Sequence, residues 1–110
     1  MAKPVNVVSD EFQAQVLEVN DKPVVVDFWS ETCGHCLALN PQFDQAAENK
    51  GDEVKFVKVS FQQSRDLFRE HNVRATPTLV LFRDGEEIAR KVGAMPADEL
   101  VAWIDENLSE

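Results

Sequence analysis

Residues 24–29, Val24-Val25-Val26-Asp27-Phe28-Trp29, are apolar at every position but one. A strand with one face in water alternates apolar and polar residues, so a nearly continuous run belongs to a strand covered on both faces. Further on, Cys36, Leu39, Phe43 and Ala47 recur at i, i+3, i+7 and i+11, the stripe of a helix turned toward a core. Gly51-Asp52 breaks that helix, and Val54-Lys55-Phe56-Val57-Lys58-Val59 supplies another strand. Strand, helix and strand in this order make a βαβ unit, with parallel strands and a right-handed crossover. Pro41 falls inside the helix and is expected to kink it.

The flanking segments complete the layout. Asp10 with Gln13 three residues on resembles a capping box, and Phe12, Val16, Leu17 and Val19 follow at near-helical spacing up to Asn20-Asp21-Lys22-Pro23. A short helix is expected over residues 64–70, with Asn72 as a left-handed cap. Residues 78–82 and 87–92 read as strands joined by Asp84-Gly85, a strong two-residue hairpin signal. Gly93 ends the second of them. Pro96 then opens a helix with Leu100, Val101, Ile104 and Leu108 on one face and Trp103 as packing, its acids from Asp98 onward facing solvent. The fold class is α/β, a mixed sheet with a parallel βαβ half and an antiparallel hairpin half, flanked by helices on both faces.

The 110 residues suit a single domain over 1–110, without repeats or linkers. With 20 acidic and 11 basic residues the formal charge is −9, which repels phosphate backbones and anionic headgroups and excludes nucleic-acid and membrane-surface roles. No apolar run approaches the roughly 20 residues of a membrane span. The segment from Met1 to Asn6 turns polar at Ser9-Asp10-Glu11 before a leader-type stretch develops, so a cytosolic protein is expected.

Two cysteines are too few for a disulfide scaffold, and they stand three apart as Cys33-Gly34-His35-Cys36. At the first turn of a helix this spacing brings the Cα atoms to about 5–6 Å, within disulfide range. The first cysteine then meets unpaired backbone N–H groups and the positive end of the helix dipole, which favour the thiolate that attacks disulfides. Cys33 precedes the helix and is the expected nucleophile; Cys36, on the core-facing stripe, is the expected resolving thiol. A metal site would need more ligands. His35 and His71 are the candidates, but neighbouring His35 and Cys36 diverge on a helix, so no metal is expected.

Phe28-Trp29-Ser30-Glu31-Thr32-Cys33-Gly34-His35-Cys36 followed by Pro41, then Ala75-Thr76-Pro77-Thr78, Asp84-Gly85 and Val92-Gly93-Ala94, resembles the thioredoxin family over nearly the whole chain. The resemblance implies the thioredoxin fold, with about five strands and four helices. It implies thiol–disulfide oxidoreductase activity on protein disulfides, with the Cys33–Cys36 disulfide as the only redox group and no separate cofactor. A monomer recharged by a thioredoxin reductase is the expected form. It also implies a cis bond before Pro77, with Thr76 offering backbone groups to an extended substrate beside Gly93, and it marks Trp29 as part of the active-site motif.

Asp27 is an acid in an otherwise apolar strand, so its pKa is expected to rise toward neutrality. The resemblance implies a buried proton acceptor for Cys36, with Lys58 as its lysine partner; the plainer alternative is a carboxylate that is solvated or paired with Lys58. Four positions depart from the family pattern. His35 replaces the proline between the cysteines, as in protein disulfide isomerases, Thr32 and Leu37 replace an aromatic and a basic residue, and Thr76 replaces an aliphatic one. An imidazolium at His35 is expected to stabilise the Cys33 thiolate and raise the reduction potential by some tens of millivolts. Two alternatives stand beside a cytosolic reductant: an isomerase or oxidant-like enzyme, and a non-enzymatic adaptor.

Overall fold

The structure, a computed structural model, describes residues 3–109. Five strands form one mixed sheet: β1 (Val5–Asn6), β2 (Val24–Trp29), β3 (Lys55–Ser60), β4 (Thr78–Arg83) and β5 (Glu86–Val92), in the order β1-β3-β2-β4-β5. The helices are α1 (Ser9–Phe12), α2 (Gly34–Lys50), α3 (Arg65–Glu70) and α4 (Ala97–Leu108). β2 lies parallel to β3 and antiparallel to β4, and β4 is antiparallel to β5. This is the expected α/β layout, with the βαβ unit formed by β2, α2 and β3. β2 is the central strand, and its first five residues are all buried, as its unbroken apolar run requires.

Side-chain alternation divides the core in two. On one face Val24, Val26 and Phe28 of β2 and Val57 and Val59 of β3 pack with Phe12, Leu67, Phe68 and Phe82. On the other, Val25 of β2 and Phe56 of β3 pack against Leu39, Phe43, Ala46 and Ala47 of α2 and Leu100 and Ile104 of α4. Each fully buried side chain of this size contributes roughly 1.5–3 kcal/mol of transfer free energy. α4 is further tied to α2 by Lys50, whose ammonium lies 2.9 Å from Asp105 and 2.8 Å from Glu53.

Several local readings are corrected. The first helix is capped at Val8, whose N–H donates to the Glu11 carboxylate at 3.2 Å, not at Asp10. Its α-helical part ends at Phe12, and the chain continues in wider π-helical geometry over Gln13–Leu17. α2 is present as expected and contains Pro41, whose missing N–H leaves the carbonyl one turn back, on the exposed Leu37, without its helical donor. β1 carries too few residues to show a period and was not placed from the sequence. The β4–β5 turn has Asp84 at φ 52° and Gly85 at φ 81°, the left-handed pair that a type I′ hairpin needs. A Cβ on Gly85 would also stand 2.6 Å from the Leu17 carbonyl oxygen, so glycine is required twice over.

Candidate active site

The C-terminal end of β2 delivers the chain through Ser30–Thr32 to the first turn of α2, where both cysteines stand. Cys33 is the N-cap residue, in extended conformation (φ −100°, ψ 116°), and its sulfur accepts the Cys36 backbone N–H at 3.1 Å. The sulfur thus occupies the place usually taken by a capping oxygen, facing a helix N-terminus that favours negative charge. Its thiol proton points to the Thr76 carbonyl oxygen, 3.4 Å away. Both cysteines are unpaired, so this is the dithiol form.

The two thiols have different surroundings. Partial burial opposes ionisation of Cys33, but hydrogen bonds from the side chains of Cys36 and Thr76 and from the backbone of Cys36 and His35 outweigh it and hold its pKa below the ordinary thiol value. Cys36 is fully buried on the α2 stripe. Burial, with the hydrogen bond to Cys33, pushes its pKa up to about 11. On ionisation Cys33 loses its bond to the Thr76 carbonyl, while the bond from the Cys36 N–H becomes charge-assisted and stronger.

Thr76 and Pro77 precede β4, joined by a cis peptide bond. Gly93 closes the same rim, donating its N–H to the Pro77 carbonyl at 2.9 Å. Its φ of 112° is a conformation that side-chain-bearing residues rarely adopt. Gly34 and His35 are exposed at the start of α2, and a Cβ on Gly34 would meet nothing within 4 Å. The structure therefore brings Cys33, Gly34, His35, Cys36, Thr76, Pro77 and Gly93 to one end of the sheet.

Asp27 and Lys58 are register partners on β2 and β3. Asp27 is fully buried and neither carboxylate oxygen has a hydrogen-bond partner. Burial raises its pKa to about 7 against a lowering contribution from the Lys58 charge. Against the plainer reading, the carboxyl is shut off from bulk solvent and makes no ion pair with Lys58. Lys58 instead donates to the Asn40 side-chain oxygen at 2.9 Å and sits 4.9 Å over the Trp29 ring. The Trp29 indole N–H is buried without a partner. Asn40 was missed by sequence reading, although it stands one helical turn after Cys36, where an (i, i+4) test would have found it.

His71 lies away from this end, its ring 5.1 Å from Phe12, 6.0 Å from Phe28 and 5.8 Å from Phe82. Among the described residues no three His, Cys, Asp or Glu side chains are grouped as metal ligands. Among the same residues no helix is long and apolar enough to cross a membrane.

An accessible cysteine of lowered pKa and a shielded partner at the start of a helix, beside a cis-proline loop on a five-stranded mixed sheet, define a dithiol–disulfide exchange site. The thioredoxin family model matches residues 3–106. The chain is 39% identical to thioredoxin C-2 of Corynebacterium nephridii over 104 residues, 94% of this chain and 95% of that protein. It is 38% identical to the thioredoxin of Pseudomonas aeruginosa over the same shares of the two chains. The solved thioredoxin of Malassezia sympodialis (Mala s 13) superposes with a TM-score of 0.86 at 32% identity, covering 99% of this chain and 94% of that one. The chain belongs to the thioredoxin family and is a protein thiol–disulfide oxidoreductase.

Proposed function

We propose that this chain is a single-domain, monomeric cytosolic thioredoxin that reduces protein disulfides with Cys33 as nucleophile and Cys36 as resolving thiol. The contrast between the two thiols carries this reading: one sulfur is reachable and capped at 3.1 Å by a helix N–H, the other fully buried. The Cys33 thiolate attacks one sulfur of a substrate disulfide, forming a Cys33–substrate bond while the substrate S–S bond breaks. The departing thiolate takes up a proton. Asp27, whose pKa of about 7 suits a proton acceptor near neutrality, removes the Cys36 proton directly or through water. The Cys36 thiolate then attacks the Cys33 sulfur, releasing the second substrate thiolate, which is protonated in turn. Two electrons and two protons have passed to the substrate, and Cys33–Cys36 is a disulfide.

The backbone around Thr76, Pro77 and Gly93 receives the extended substrate, and open space at Gly34 lets it approach. Trp29, His35 and Lys58 tune the pair. The pair itself carries the electrons, so no cofactor is needed. A thioredoxin reductase returns the disulfide to the dithiol, and a reducing compartment such as the cytosol sustains that direction. The test is catalysed reduction of insulin. The chain should accelerate it, Cys33→Ser should abolish the acceleration, and Cys36→Ser should accumulate covalent substrate complexes through Cys33. Trapping by Cys33→Ser to the same extent would overturn the division of roles. Unaccelerated insulin reduction by the intact dithiol would overturn the reductant and leave the isomerase or oxidant-like enzyme and the adaptor.

A further inference from the structure

Asn40 has no part in the exchange chemistry above, yet its side chain decides where the charge nearest to Asp27 is held. Asp27 and Lys58 share the sheet face of Val25 and Phe56, which α2 covers. Lys58 could turn toward the carboxyl beside it, which is buried and has no partner on either oxygen. Instead its ammonium reaches up to α2, donating to the Asn40 Oδ1 at 2.9 Å and resting 4.9 Å over the Trp29 ring. An amide oxygen and an aromatic face together hold an ammonium ion that an unpaired carboxylate in a low-dielectric site would otherwise attract.

We propose that Asn40 is a positioning residue, whose carboxamide oxygen holds the Lys58 ammonium off Asp27 and so leaves that carboxyl unpaired under α2. The inference rests on the reading of Asp27 as proton acceptor only for its consequence in the exchange. Asp27 is faced by few other groups that titrate. Lys58 on β3 is the charge it feels, its partner on β4 is Leu79, and the first turn of α2 carries the neutral, buried Cys36. Asp44 and Glu48 of α2 line the same surface hollow as Lys58. They are exposed to water, so they compete weakly for a released ammonium. Loss of the Asn40 oxygen therefore sends Lys58 to Asp27, and a paired carboxyl holds its proton less tightly.

The test is an NMR titration of the Asp27 carboxyl carbon in the reduced protein, for the parent chain, Asn40→Ala, Lys58→Met and the double variant. Asn40→Ala should lower the Asp27 midpoint by about one unit or more, the effect of an opposite charge brought into contact. With Lys58→Met already in place, Asn40→Ala should leave the midpoint unmoved. An unchanged or raised midpoint in Asn40→Ala, or the same drop with Lys58 absent, would overturn the proposal. The pH profile for resolution of a Cys33 mixed disulfide separates this from the role of Asp27. If the midpoint falls but the acid limb of that profile stays, Asp27 does not take the Cys36 proton, while the hold of Asn40 on Lys58 stands.

Discussion

The two faces of the sheet are built from the same strands to different ends. The face covered by α1 and α3 is closed by Phe12, Phe28, Phe68 and Phe82 with their rings in tilted or edge contact, and the one titratable group among them is the half-buried His71. The face covered by α2 and α4 is equally apolar through Val25, Leu39, Phe43 and Leu81, but toward the active-site end it holds Asp27, Lys58, Asn40 and Cys36. One face buries apolar side chains, and the other also buries a carboxyl and a thiol. Their responses to pH are opposite in sign. Burial lowers the His71 pKa, so the unfolded chain protonates first as pH falls and that face loses stability in acid. Burial raises the Asp27 pKa, so the unfolded chain ionises first as pH rises and that face loses stability toward neutrality.

The largest effect should come from breaking the face without chemistry. Phe82→Ala removes a ring that packs against Phe12 and His71 at centroid distances of 6.0 and 5.8 Å. Urea unfolding should show a loss of about 3–5 kcal/mol. The reduction potential of the folded variant should stay where it is; a displaced potential would mean that the faces are not separable.

Asp27→Asn should have the next largest effect, and with the opposite sign. A carboxyl pKa raised from 3.8 to about 7 corresponds to about 4 kcal/mol of stability at ~1.4 kcal/mol per unit. That stability is fully present below pH 3.8, declines as pH rises, and is gone above about pH 7. The asparagine variant lacks this slope, so unfolding at pH 8 should show it more stable than the parent by up to about 4 kcal/mol, the gap closing toward pH 4. Its disulfide exchange should be slower. A parent chain whose stability does not fall between pH 5 and pH 8, relative to the variant, would mean that Asp27 is ionised and compensated in the fold.

His35→Pro should have the smallest effect. His35 is exposed, so water screens its charge from the Cys33 sulfur. At pH 7 the potential of the variant should fall by some tens of millivolts, 30 mV being about 1.4 kcal/mol for a two-electron couple. A potential that holds or rises would remove electrostatics as the role of this residue.

Much of this was legible in the sequence because it depends on short-range pattern. The β2 run, the Cys36–Leu39–Phe43–Ala47 stripe and the Asp84-Gly85 turn each state their structure within a few residues. The cysteine spacing, read with the helix start, gives the exchange site, and the thioredoxin resemblance extends it to the Thr76-Pro77 loop and Gly93. What stayed hidden depends on pairing between distant segments. β1 is two residues long and is recognised only by its register with Val57 and Lys58. The Lys58–Asn40 bond joins residues 18 apart on a strand and a helix, and nothing local distinguishes it from a Lys58–Asp27 pair. The Val8 cap escaped because the acceptor is the Glu11 side chain, while the capping position itself carries an apolar residue.

The central claim is that the start of α2 divides the two thiols, lowering the pKa of Cys33 and raising that of Cys36 to about 11. Its most direct test is timed alkylation of the reduced protein across pH 5 to 9, with the modified cysteine located by peptide mass. Cys33 should be labelled first throughout, with a midpoint below the free-thiol value of about 8.5. Cys36 should stay unmodified until Cys33 is saturated. Labelling of Cys36 first, or of both at the same rate with an ordinary thiol midpoint, would contradict the division.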